Sequence, residues 1–290
     1  MVKKTKPDRE LLGGQALIEG VMMKGSTALG YAVYAPDGTL RTSRVAYTPW
    51  RKKYPFLGWF FIRGSVNLFE MLMIGMRALD FSVSVALPSE YKQQSKYDMP
   101  LAIVTSLLFS FGLFMVLPAF SFTLLQKSMQ SVLMLNFLEG LVRIAIFMLF
   151  LFLIGFSRDM RRLFSYHGAE HMTVHAYEAA ENLTIANVRK YSTLHPRCGT
   201  SFLLIVFIIS IVFLSGFGHT ALLPRLGIKL AMFPVIAGVS YELVRLVCRL
   251  PKVLVLAILS PGLLMQYFTT RRPDDAMLQA AITALNTAKD

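Results

Sequence analysis

Residues 135–156 read LNFLEGLVRIAIFMLFLFLIGF, with only Glu139 and Arg143 charged. A helix needs about 20 apolar residues to cross a bilayer, so this stretch predicts a transmembrane helix. Three further segments qualify. Residues 101–125 (LAIVTSLLFSFGLFMVLPAFSFTLL) form the first span. A kink is expected there at Pro118, which has no N–H for the preceding turn. Residues 201–217 (SFLLIVFIISIVFLSGF) and 228–248 (IKLAMFPVIAGVSYELVRLVC) form the third and fourth. A run at 251–268 contains Pro261-Gly262 and is expected to lie in the interface or to re-enter. Composition supports this class: 54% of the 290 residues are hydrophobic and 16% charged, whereas soluble domains carry about 25% charged residues.

The net charge of +13 would suit nucleic acid if it were gathered into one patch. Instead the basic residues flank apolar runs, which is the positive-inside pattern. Ten fall in 1–57, and Arg158, Arg161, Arg162, Arg189, Lys190 and Arg197 fall in 157–200. Connections 126–134 and 218–227 carry only Lys127 and Arg225. Both termini and the 157–200 connection are therefore expected in the cytoplasm, and sequence-specific nucleic-acid binding is not expected. The basic N-terminus has no apolar stretch after it, so no cleavable signal is expected. The two cysteines, Cys198 and Cys248, suggest no disulfide framework; Cys198 should be a reduced thiol.

The polar segments complete the architecture. Residues 1–12 read as a mobile basic leader and 13–57 as a small cytoplasmic β subdomain. Within it QALIEGVMMKG (15–25) is a candidate strand, and YAVYAPDGTLRTSRVAY (31–47) is a hairpin around Pro36-Asp37-Gly38. Residues 58–87 place Arg63, Asn67, Glu70, Arg77, Asp80 and Ser84 on one helical stripe, which fits an interfacial or an inserted helix. Residues 99–156 hold the first two spans, 157–200 a His/Glu/Cys segment, and 201–248 the third and fourth spans. Residues 249–290 hold an interfacial helix and a cytoplasmic tail, whose end (PDDAMLQAAITALNTAKD) reads as an amphipathic helix begun by Asp274 and Asp275. The expected fold is a mostly α-helical polytopic membrane protein with a small antiparallel sheet.

Chemistry concentrates in 157–200. YHGAEH (166–171) sets His167 and His171 four apart with Glu170 directly before the second. On a helix both imidazoles share one face and can grip one ion, with the carboxylate beside them. H-x-x-E-H is the inverted zinc-protease order; Glu170 is then the candidate general base. Proteases of that type take a further carboxylate, for which Glu178 and Glu181 are candidates. HPRC (195–198) adds His195 and Cys198, both good zinc ligands. Four protein ligands would make a closed structural site, whereas three would leave a position open for catalysis. A hydrogen-bonded polar network without metal is the plain alternative. His175 reads as a supporting or exposed residue, and Glu178 as a supporting or alternative ligand. A Cys198 nucleophile lacks an elbow motif.

Charges inside the spans are the second signal. Glu139 with Arg143, and Glu242 with Arg245, can each pair along one helix. They tie helices together or line a polar cavity. Arg245, nearer the cytoplasmic side, is the better anion-binding candidate.

Long motifs carry a family resemblance: GGQALIEGVMMKG at 13–25, FIRGSVNLFE at 61–70, YHGAEHMTVHAYE at 166–178, LTIANVRKYSTLHPRCGTSFL at 183–203 and PGLLMQYFTTRRPDDAMLQAAITAL at 261–285. In these the chain resembles the YqhQ-like bacterial membrane proteins, also called domain of unknown function 1385. The resemblance implies the bacterial inner membrane and places His167, Glu170, His171, His195 and Cys198 at shared motif positions. It implies no secure reaction. Met172 stands where many relatives are expected to have lysine, and His175 falls outside the shared pattern. It further suggests that Gln15, Glu19 and Gly20 belong to a functional surface packed over the cytoplasmic site.

Two functions fit these residues. The first is a membrane-protein biogenesis or complex-assembly factor, whose zinc site staples the sheet to the spans and whose basic surface meets anionic lipid or a translocation partner. The second is a membrane-embedded metal-dependent hydrolase acting on a lipid, a lipid-linked intermediate or a membrane peptide. The closed ligand set offered by HPRC favours the first.

Overall fold

The computed structural model describes residues 12–60, 62–93, 95 and 97–289, without the side chain of Lys252. The expected leader lies outside the described residues, apart from Leu12. Four strands, β1 (Gly13–Leu17), β2 (Gly20–Lys24), β3 (Ala28–Tyr34) and β4 (Leu40–Ala46), pair antiparallel in the order β1-β2-β3-β4. QALIEGVMMKG is thus a hairpin rather than one strand. Its turn is at Ile18-Glu19, where Glu19 adopts a left-handed φ of 55°. The β3–β4 turn is closed by Asp37, whose carboxylate accepts from the Thr39 N–H at 2.8 Å.

Helices follow in this order: α1 (Trp50–Lys53), α2 (Ile62–Ala86), α3 (Pro88–Gln93), α4 (Asp98–Phe111), α5 (Leu117–Leu125), α6 (Val132–Ile154), α7 (Arg158–Glu178), α8 (Ile185–Val188), α9 (Gly199–Leu214), α10 (Leu222–Val247), α11 (Lys252–Thr269) and α12 (Asp275–Ala288). A π turn, Gly112–Val116, joins α4 to α5. It falls where Pro118 leaves the Phe114 carbonyl, four residues earlier, without its helical donor.

The sheet is covered on both faces. On one, Val21, Met23 and Ala32 pack with Ala169 and Met172 of α7 and with Leu278, Ile282 and Leu285 of α12. On the other, Leu17, Met22, Tyr31 and Val33 pack against Ile74 and Ala78 of α2. This is why GVMMK in β2 lacks the alternation of a half-exposed strand. The C-terminal helix is therefore a core element. Asp274 caps its start by accepting from the Met277 N–H at 2.8 Å, and Arg44 of β4 donates to the Thr287 and Lys289 carbonyls at its end. Burying each leucine or isoleucine of α12 contributes about 1.5–3 kcal/mol.

Among the described residues, three helices are long and apolar enough to cross a membrane by length and composition: Asp98–Leu125, Val132–Ile154 and Leu222–Val247. The expected third span is shorter, Gly199–Leu214, and the 251–268 run is a second short apolar helix, Val253–Thr269, continuous through Pro261. α4 has no buried residue, and Leu107, Leu108 and Phe109 are 57–66% exposed. So large an apolar surface marks a face that meets lipid or protein rather than water.

The ionic residues pair across helices more than along them. Glu139 accepts from Arg143 at 2.8 Å, as the i,i+4 spacing suggested, but also from Arg225 and Lys229 of α10. Glu242 pairs not with Arg245 but with Arg63 of α2, through two bonds of 2.5 and 2.6 Å. A guanidinium meeting a carboxylate side-on makes the stronger, two-pronged contact.

Candidate metal centre

α7 presents His167, Glu170 and His171 toward β1 and the loop before α9. That loop folds back because its carbonyls are taken by α7: His171 donates Nδ1–H to Thr193, and His175 donates Nε2–H to Leu194 at 2.8 Å. His167 donates Nδ1–H to the Thr269 carbonyl at the end of α11, at 2.8 Å. A carbonyl only accepts, so the neutral form of each ring of the i,i+4 pair holds its proton on Nδ1 and keeps the Nε2 lone pair. Buried metal-ligating histidines are oriented by such contacts. Cys198, at the N-cap of α9, places Sγ 3.3 Å from His167 Nε2. His167, His171 and Cys198 can each offer an atom within 4.8 Å of the others, a grouping that could hold a metal ion.

Glu170 stands beside this trio. One carboxylate oxygen accepts from the Gly14 N–H at 3.0 Å; the other lies 3.5 Å from His171 Nε2. A Cβ at Gly14 would come within 2.7 Å of the Glu170 Cγ and of the Met22 carbonyl, so only glycine lets β1 approach this closely. Glu170, His171 and Cys198 are all buried.

His195 is not brought into the trio. It groups instead with His175 and Glu178. Its Nδ1 accepts from the Arg197 N–H at 3.3 Å, which leaves the proton of the neutral ring on Nε2. That buried Nε2 has no hydrogen-bond partner and lies 3.6 Å from a Glu178 oxygen, itself bonded to Arg197. Nδ1 is thus taken by the Arg197 N–H and Nε2 faces Glu178 rather than the first group, although the His171 and His195 rings stand 5.6 Å apart. Burial pushes the His195 imidazole below the ordinary histidine range, against the raising effect of the Glu170 charge.

Gln266 of α11 holds His195 in place and carried no signal in the sequence except that it is the single amide in an apolar run. Its side chain is fully buried, accepts from the His195 N–H and donates to the His195 carbonyl, both at 2.8 Å, and reaches Ser201 at 2.9 Å. Behind the same loop lies a cavity of about 600 Å³ lined by Met172, Tyr191, Thr193, Leu194, Tyr267 and Arg272 among others.

The remaining expected surface residues lie elsewhere. Gln15 sits on the opposite face of the sheet, against Gly75 of α2. Glu19 pairs with Arg162 and accepts from the Tyr166 hydroxyl at 3.2 Å, tying the β1–β2 turn to α7. Arg245 is exposed at the far end of α10.

The fold and site define a mostly helical protein with three apolar helices of membrane-crossing length, a four-stranded sheet and His/Cys/Glu groupings able to hold a metal. The chain belongs to the family described as protein of unknown function DUF1385, whose model matches residues 59–290. It is also 30% identical to the uncharacterized protein YqhQ of Bacillus subtilis (strain 168), over 94% of this chain and 91% of that one. No solved structure matches.

Proposed function

We propose that the chain is a multi-pass protein of the bacterial plasma membrane, with four spans and both termini in the cytoplasm, and that it acts as a zinc-dependent hydrolase at the cytoplasmic face. The observation that carries the reading is the division of the donors. Three of them converge, His167, His171 and Cys198, while His195 accepts from the Arg197 N–H at Nδ1 and turns its Nε2 to Glu178, 3.6 Å away, in a separate group with His175. Three protein ligands are the number that catalytic zinc sites use, and four the number of structural ones. This reverses the preference that HPRC gave in the sequence. The donor set, two imidazoles and a thiol, suits zinc, which when bound would supply Lewis acidity to a water. Glu170, steadied by the Gly14 N–H, would take that water's proton. A lipid, a lipid-linked intermediate or a membrane peptide is the substrate class, because the trio sits at the mouth of α9.

A second reading, the assembly factor with a stapling metal, draws on one specific observation. The trio and its supports come from α7, β1, the 193–198 loop and α11, so an ion there would lock four elements together. Cobalt substitution separates the two. An open position is expected to bind acetohydroxamate and shift the visible cobalt spectrum, with Glu170→Gln retaining metal. A spectrum indifferent to acetohydroxamate would favour the staple, and well-folded protein that takes up no metal would remove both readings.

A further inference from the structure

The C-terminal part of α10 carries Glu242 and Arg245 among Val239, Leu243 and Leu246, and Arg249 follows just past its C-cap, Cys248. Against it lies the start of α2. A Cβ at Gly64 would stand 2.9 Å from the Gly238 Cα, so the two backbones touch there, and beyond the contact a cleft opens. Its volume is about 340 Å³, and Phe60, Val239, Leu243 and Leu246 supply apolar walls. Arg63, also in the wall, is spent: its guanidinium is held side-on by Glu242 and lies over the Phe60 ring at 5.4 Å. Arg245 and Arg249 are both exposed and have no ion-pair partner within 4 Å among the described residues, although each still acts on Glu242 at longer range. Two cations, one turn apart, therefore border an apolar cleft whose only carboxylate already has a partner.

The surroundings fit a bilayer surface. Tyr54, Phe56, Trp59 and Phe60 are 47–67% exposed just before α2, and Arg51, Lys52 and Lys53 precede them, also exposed. Aromatic rings gather at the headgroup level, and basic residues beside them attract acidic leaflets.

We propose that this cleft binds one anionic phospholipid, with Arg245 and Arg249 on the phosphate and an acyl chain along Phe60, Val239, Leu243 and Leu246. The inference rests on the bilayer placement proposed above and is independent of the metal centre. Charge complementarity selects the occupant: the apolar walls need a chain, and the two arginines need an anion, which a zwitterionic lipid does not supply net. Free phosphate shares the headgroup chemistry but leaves the walls unfilled.

Native mass spectrometry of the full chain in detergent tests it, with phosphatidylglycerol, phosphatidylcholine or inorganic phosphate added. A single retained phosphatidylglycerol adduct is expected, at least tenfold more occupied than phosphatidylcholine. It should be lost in Arg245→Gln/Arg249→Gln and kept in Arg51→Gln/Lys53→Gln. Equal loss in both double variants would mean diffuse attraction only and overturn the site, as would equal retention in both. Displacement of the adduct by millimolar phosphate would mean an inorganic-anion site and overturn the lipid assignment. Flotation with vesicles separates the two layers of the argument. Protein that does not float removes the bilayer placement, whereas protein that floats without a selective adduct removes only the lipid site.

Discussion

Two polar centres stand at opposite ends of α9, and they are built from opposite kinds of group. At its N-cap, His167, His171 and Cys198 bring together lone-pair donors that could hold a metal ion. Farther along, Ser210 accepts from Arg143, and that guanidinium joins Arg225 and Lys229 around the single carboxylate of Glu139. All four charged groups are at most 8% exposed. Three cations against one carboxylate leave an excess of positive charge among apolar helices, an arrangement that is costly and unusual in membranes. The first centre offers only donors. The second is held together by one anion that every neighbour shares. A cation–π contact, with Arg225 lying 3.2 Å from the centre of the Phe122 ring, shows how tightly that charge is packed.

The largest effect is therefore expected at Glu139. Glu139→Gln leaves Arg143, Arg225 and Lys229 buried without a counter-charge, and should cost about 3–5 kcal/mol. The measure is the midpoint of thermal unfolding in detergent, together with the yield of monodisperse protein. Lys229→Met should be close to neutral by the same measure, because it removes one of the excess charges and leaves Glu139 two partners. If both substitutions cost the same, the contrast between a shared anion and dispensable cations fails.

At the other centre the expected effect is on metal rather than on fold. Cys198→Ser and His167→Ala should each lower metal affinity at least tenfold, read by competition with a chromophoric chelator. Losing a ligand should cost no less than losing the group that orients one, for which roughly 10–100-fold is usual. Chelation of the metal should leave Glu139→Gln and wild type differing by the same amount as before. A change in that difference would mean that α9 couples the two centres.

Gln266→Leu sharpens the division between His195 and the trio. It strips partners from the buried N–H and C=O of His195, a loss of roughly 1–3 kcal/mol. If His195 is no ligand, the substitution should leave metal stoichiometry unchanged while thermal stability falls. Parallel loss of metal would join the two donor groups into one centre.

How much of this was legible follows from sequence separation. The motif around His167 is read from one turn of helix, and the family was recognised from motifs that local. The apolar helices were read from runs of composition, with α9 shorter than the span drawn for it. By contrast Glu139 meets Arg225 and Lys229 across 86 and 90 positions. Spacing along one helix offers Arg143 as a sufficient partner, and composition puts Arg225 in a connection, although it lies in the first turn of α10. The same spacing offers Arg245 to Glu242 and says nothing of Arg63, 179 positions away. The β1–β2 turn was missed because Glu19, not glycine or asparagine, takes the left-handed conformation there.

Glu19 gives the finest test. The residue was expected on a functional surface, and the structure gives it an ion pair with Arg162, whose side chain is 52% exposed. Such a pair contributes roughly 0.2–1 kcal/mol, and Glu19 also accepts from the buried Tyr166 hydroxyl. Glu19→Ala loses both and keeps the unfavourable φ, so a decrease of roughly 1–3 kcal/mol is expected. Glu19→Gly loses the same contacts but removes the steric cost of a left-handed side chain, itself about 1 kcal/mol. It should therefore unfold closer to wild type than Glu19→Ala does. A purely structural tie predicts that metal affinity is the same in both variants, because Glu170 is held from Gly14 and not from the turn. If Glu19→Gly keeps wild-type stability yet weakens metal binding or the acetohydroxamate response, the turn belongs to the centre, and the hairpin joins the trio as part of one site.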